Sequence, residues 1–278
     1  MEEHILWITR FVNHLLGPLA AGLLHALNIA SSDPELPIPQ HVVMGMLVVL
    51  IGTLFALAVR AKLSVEKPGA LQQVAELLLT NPMGFGIKDL LEENVHHGAV
   101  KLVPFVGSIS IFVLLSNLLG GFPNSFLVAA TGQVTVPLAC AILTFLYFNW
   151  QGVKHHGPIG YLGTFAGSPK TFGAWLLAIL LFPVEIISTC ARLLSLTVRL
   201  WANMFASDLI YVIFLGLLAG GATFGWSKHP VLGVALAVFP ATIPVAFIAL
   251  HIFVAVVQAY VFTVLPSVYL GMATADEH

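Results

Sequence analysis

The sequence predicts an all-α polytopic membrane protein, and three observations carry that prediction. Hydrophobic residues fill 58% of the 278 positions and charged residues 9%, with a mean hydropathy of +0.96, which leaves too little polar surface to cover a water-soluble globule. The apolar residues come in runs long enough to cross about 30 Å of hydrocarbon. The charges are few, and four of them sit in one apolar arm: Glu185, Arg192, Arg199 and Asp208 are the only ones between Lys170 and Lys228.

Taken in order, residues 5–29 read as a helix with Arg10, His14, Ala21 and His25 on one polar stripe, the pattern of an N-terminal interfacial helix. The start is acidic (MEEH) and no small-residue cleavage pattern follows, so it is expected to be mature sequence. SSDPELPIPQ (31–40) is a Pro-rich linker, and Val42–Val59 is the first crossing, closed by Arg60, Lys62 and Lys67. Residues 68–98 are amphipathic and too polar to insert, so they are expected to form a surface helix. Leu102–Leu119 and Val134–Trp150 are the second and third crossings, all three roughly perpendicular to the membrane. Gln151–Lys170 reads as a Gly-rich polar loop. The expected organisation is 1–40, helix and linker; 41–171, three crossings with the surface helix; and 172–278, a hairpin of two long, steeply tilted membrane helices.

Length is what makes the hairpin unusual. From Pro183 to Gly216 no residue breaks a helix, a stretch of about 50 Å where a perpendicular helix needs about 30 Å. Ser195–Asp208 has no Gly or Pro, so one tilted helix is expected rather than two crossings. Val231–Met272 carries no formal charge and is interrupted only at Pro240 and Pro244, leaving a second arm from Val245. Five basic residues (Arg60, Lys62, Lys67, Lys88 and Lys101) lie between crossings one and two, and Lys154 and Lys170 between three and four. The other side has Arg10 and Lys228. The positive-inside rule then puts the N-terminus outside and the C-terminus in the cytoplasm.

Arg199 is the most informative residue. An arginine at the bilayer centre costs roughly 2.5 to 3.5 kcal/mol, and it cannot shed its charge. On a helix, Glu185, Arg192, Ser195, Arg199 and Asn203 share one broad stripe, and the small Ala202, Ala206 and Ser207 allow another helix to approach. In the last arm His251 and Gln258 stack two turns apart. Asp208 lies about 13 Å beyond Arg199 along the axis and Glu185 about 21 Å before it, towards opposite faces. Such stripes can hold a water path.

At these residues the chain resembles subunit a of the F-type ATP synthases. RLWANMFASD resembles the family's pattern of arginine, leucine, aromatic, small, asparagine, methionine, aromatic, two small residues and an acid. HIFVAVVQAYVFTVLPSVYLGMA resembles its C-terminal helix, and PGALQQVAELLL and LLSNLLGGFP its earlier landmarks. The resemblance implies that Arg199 is the essential stator arginine with Gln258 its neighbour on the facing helix. It makes Asn203, Asp208 and His251 lining of the outer half-channel, and places Glu185 and Arg192 towards the other side. Two departures stand out: aspartate at 208 where glutamate is more usual, and Gln133 near a position where some members have aspartate.

What the resemblance implies for mechanism is two ion half-channels and an arginine barrier, working against a rotating ring of small hairpin subunits that carry one carboxyl each. A peripheral stalk would be a further partner, and the coupled process would be proton translocation for ATP synthesis. The chain shows no nucleotide motif, so it is not expected to act on ATP itself; no cofactor, metal or nucleic acid is expected either. His96, His97, His155 and His156 form two adjacent pairs, and neighbouring histidines point to different helix faces, which disfavours a metal site. Cys140 and Cys190 lie in apolar stretches as small packing residues. The expected location is a bacterial plasma membrane. A secondary transporter is the competing class, but no internal repeat is evident; a membrane hydrolase lacks HExxH and GxSxG.

Overall fold

The computed structural model describes residues 5–28, 36–81, 84–95, 98–121, 129–165, 172–228 and 230–274. Among them the regular structure is helical: α1 (Trp7–Ala26), α2 (Gln40–Ala61), α3 (Ala70–Leu79), α4 (Ile87–Asn94), α5 (Ala99–Leu119), a 3-10 turn at Ala130–Gly132, α6 (Thr135–Phe165), α7 (Phe172–Lys228) and α8 (Pro230–Thr274). Among the described residues five stretches are long and apolar enough to cross a membrane: α2, α5, α6, Ala178–Gly221 of α7 and Ala246–Thr274 of α8. The chain is therefore a polytopic membrane protein. It divides into two compact units, residues 1–51, 114–136 and 200–258 in the first, and 52–113, 137–199 and 259–278 in the second.

In the first unit α1 buries only its narrowest face, Thr9, Asn13 and Gly17. Asn13 works as a clasp: its Nδ2 donates to the carbonyls of Thr9 (2.9 Å) and Ile38 (3.0 Å), and its Oδ1 accepts from the Ile38 amide (2.9 Å). Leu6, Ile38, Val43, Met44 and Ala130 close a small core around that clasp. Ile8, Val12, Leu16 and Ala20 pack partly against that core, and the outer faces of α1 are exposed, with Arg10, His14, Ala21 and His25 on the polar stripe and Trp7, Phe11, Leu15, Leu19 and Leu23 recurring every four residues on an apolar one.

The second unit is built on the apolar faces of α4, α5, α6 and the end of α8, through Ile87, Leu91, Val95, Leu102, Val106, Phe148 and Leu270. Here two expectations need correcting. The amphipathic stretch 68–98 is two helices, because Thr80 turns extended and Gly84 has φ +76°, which ends α3 before α4 begins. While α3 leaves Leu71, Val74 and Leu77 exposed, α4 buries Ile87, Leu90 and Leu91 in the core.

The expected loop 151–170 is helical up to Phe165. The helix reverses at Gly157, whose φ of +74° a side chain would resist, and Pro158 then suits the first turn of the returning segment. The Tyr161 hydroxyl donates to Asn149 Oδ1 at 3.0 Å, although twelve residues of straight helix would hold them about 18 Å apart. α7 holds as a single helix through Ser195–Asp208, whereas the interruption expected at Pro240 and Pro244 does not occur: α8 continues through both prolines.

Gly271 fixes how α8 meets α4. A β-carbon there would collide with the backbone carbonyl of Asn94, which cannot swing aside as a side chain would. Gly271→Val is expected to lower the melting temperature of the detergent-purified protein by several degrees, equivalent to about 1 to 3 kcal/mol of overpacking. An unchanged melting curve would show the two elements to be separable.

Candidate functional site

The polar residues of α7 and α8 fall into two groups, one in each unit. In the second unit Arg192 Nη2 lies 3.2 Å from Glu185 Oε1, two helical turns away, and its guanidinium sits 5.3 Å from the centre of the Tyr269 ring. Both ends of the ion pair are partly exposed. Seven residues on, Arg199 reaches one turn back, its Nη2 donating to Ser195 Oγ at 3.4 Å. Arg199 is exposed, and no described ion pair gives it a carboxylate. Glu185, the acid on the same stripe, is paired with Arg192.

In the first unit His251 is 6% exposed and its Nε2 lies 2.9 Å from the backbone oxygen of Asn117, at the end of α5. Asn117 is fully buried, and its Oδ1 accepts from the Thr131 hydroxyl at 2.7 Å; the Thr131 amide in turn donates to Ser116 Oγ at 3.2 Å. The next residue of the 3-10 turn, Gly132, faces Asp208: a β-carbon built on it would stand 3.7 Å from Asp208 Oδ2. Asp208 is half-buried and within electrostatic reach of His251. His251 and Asp208 thus meet the same corner, where α5 ends and α6 is about to begin.

Asn203 and Gln258 are half-buried in this unit as well. Two buried amide nitrogens, Asn203 Nδ2 and Asn117 Nδ2, have no protein acceptor among the described residues. Leaving such a donor dry costs about 1 to 3 kcal/mol, so each of the two calls for an acceptor.

Gln133, at the end of the 3-10 turn, is exposed. His155 and His156 stack edge to face, 4.8 Å between ring centres, just before the reversal at Gly157. His96 and His97 lie outside the described residues. Periodicity in α7 and α8 could not find Tyr269, Ser116, Asn117 and Thr131. The one visible signal was the polar pair Ser116–Asn117 inside an apolar crossing.

Comparison with known proteins adds an independent line. Residues 41–271 match the family described as ATP synthase A chain. The chain is 37% identical over 276 residues to the ATP synthase subunit a of Koribacter versatilis, covering 99% of both chains. Against that of Solibacter usitatus it is 37% identical over 260 residues, 93% of this chain and 97% of the relative. Against that of Desulfosudis oleivorans it is 36% identical over 211 residues, 76% and 78% respectively.

Proposed function

The chain belongs to the ATP synthase A chain family, and from that premise we propose that it is the proton-translocating stator of a rotary ATP synthase, with Arg199 as the barrier between two half-channels. The observation that carries the reading is the exposed guanidinium of Arg199, in a helix of crossing length, with Ser195 and no carboxylate as its described partner. A permanent charge in that position is kept for a group that arrives and leaves. Its partner in this reading is the single carboxyl of each subunit in a rotating ring, neutral in lipid. At about 4 Å and an effective dielectric near 20, Arg199 favours the ionised carboxylate by roughly 4 kcal/mol. The proton is released when the carboxyl reaches it. The membrane potential supplies roughly 2.3 kcal/mol per charge per 100 mV, comparable in size, so the contact can be broken as the ring turns.

Asn203, Asp208 and His251 make the outer half-channel, and Glu185 and Arg192 belong to the inner one. The basic residues flanking the crossings support an N-terminus outside and a C-terminus in the cytoplasm of a bacterial plasma membrane. The doubly exposed α1 suits the membrane interface, and the lengths of α7 and α8 suit steep inclination.

Affinity-tagged chain, purified in mild detergent from cells that express it natively, is expected to bring with it an oligomer of a small two-helix subunit, stalk subunits and an ATPase. Recovery of the chain alone, with intact fold, points to a self-contained transporter and overturns the reading.

A further inference from the structure

The residues around His251 fix more than its position. The backbone oxygen of Asn117 can only accept, so the imidazole nitrogen 2.9 Å from it, Nε2, has to carry a hydrogen. A neutral imidazole has one N–H, which leaves the lone pair on Nδ1. The same oxygen also accepts the Gly120 amide at 3.1 Å, where α5 runs out of its own donors, so both its lone pairs are in use. Asn117 is held from its other end, because the Thr131 hydroxyl donates to its Oδ1 and Ser116 ties down the Thr131 amide. Ser116, Asn117 and Thr131 are all fully buried. Gly121 leaves the ring room: a β-carbon there would come within 3.3 Å of His251 Cδ2.

From this geometry we infer that Asn117 and Thr131 are positioning residues of the outer half-channel, holding His251 as its Nε2–H tautomer so that the travelling proton is taken up and released at Nδ1. The inference rests on the outer half-channel assigned above. An incoming proton binds the Nδ1 lone pair to give the imidazolium, and the same proton leaves from Nδ1, while Nε2 keeps its own hydrogen and donates it to the Asn117 oxygen throughout. Asp208, on α7 at the same corner, lies within electrostatic reach of His251.

The test is nitrogen NMR of the assembled complex in membranes, with this chain's histidines labelled with 15N and the His251 signals identified by their loss in His251→Gln. At a pH where the ring is neutral, a protonated Nε2 and an unprotonated Nδ1 are expected. Thr131→Val is expected to mix the two tautomers and slow ATP-driven pumping by about five- to tenfold, the rate equivalent of one buried hydrogen bond. Thr131→Ser is expected to restore both. A hydrogen on Nδ1 in the unaltered protein overturns the inference whatever the variants do, and so does an unchanged tautomer in Thr131→Val. Pumping at the unaltered rate in His251→Gln would instead remove the outer half-channel itself.

Discussion

Arg199→Ala, assembled with its ring, is expected to abolish ATP-driven proton pumping. The loss should be complete within the sensitivity of a fluorescence-quenching assay on inverted vesicles, because the roughly 4 kcal/mol that the guanidinium contributes corresponds to about a thousandfold in the release equilibrium. Neutralising one residue rarely has that effect in a membrane helix. It does so here because the other arginine of the stripe is already engaged: Arg192 is held by Glu185 and packed on Tyr269, while the described hydrogen-bond partner of Arg199 is Ser195. A second consequence separates this account from a structural one. With the cation gone, the two half-channels lose the charge that keeps protons from running between them, so passive proton conductance through the membrane sector should rise. Arg199→Lys keeps a charge but not the planar fork, and is expected to recover the barrier better than it recovers pumping. Pumping by Arg199→Ala near the unaltered rate would leave the charge without the role assigned to it.

Much of this was legible in the sequence, for a physical reason. In lipid a crossing has to be apolar over a fixed length, so α2, α5 and α6 are visible as runs, and a polar stripe on α7 stands out because every member of it is costly there. The uninterrupted Ser195–Asp208 stretch likewise predicted one helix, and α7 is one helix. The fold-back of α6 was not legible. His155-His156-Gly157-Pro158 reads as a loop by composition, and what makes the following residues helical is the return of Tyr161 onto Asn149, a contact that local propensity does not encode. The split between α3 and α4 escaped notice for the opposite reason. The amphipathic period continues across the break, and it is the backbone at Thr80 and Gly84 that ends it.

At the site, periodicity found the residues that share a helix and missed those that meet across the chain. Asn117 and His251 are 134 residues apart, and Thr263 and Ser110, which hydrogen-bond at 2.8 Å, are 153 apart. No window along the sequence brings such pairs together. Ser116 and Asn117 were readable as a costly pair in an apolar helix, but their partner in the 3-10 turn was not.

The claim on which the rest depends is that the stripe of α7 serves two half-channels opening to opposite sides, with Glu185 on one side of Arg199 and Asp208 and His251 on the other. Cysteine substitution at 185, 208 and 251, one at a time in a background with Cys140 and Cys190 replaced, allows each position to be probed with a membrane-impermeant thiol reagent in vesicles of known orientation. His251 is mostly buried, so position 208 carries the outer assignment and 251 serves as its slower companion. The reagent is expected to reach 208 and 251 only from the outside and 185 only from the cytoplasmic side. Labelling of 185 and 208 from the same side, in complexes whose Arg199 is intact, would contradict it.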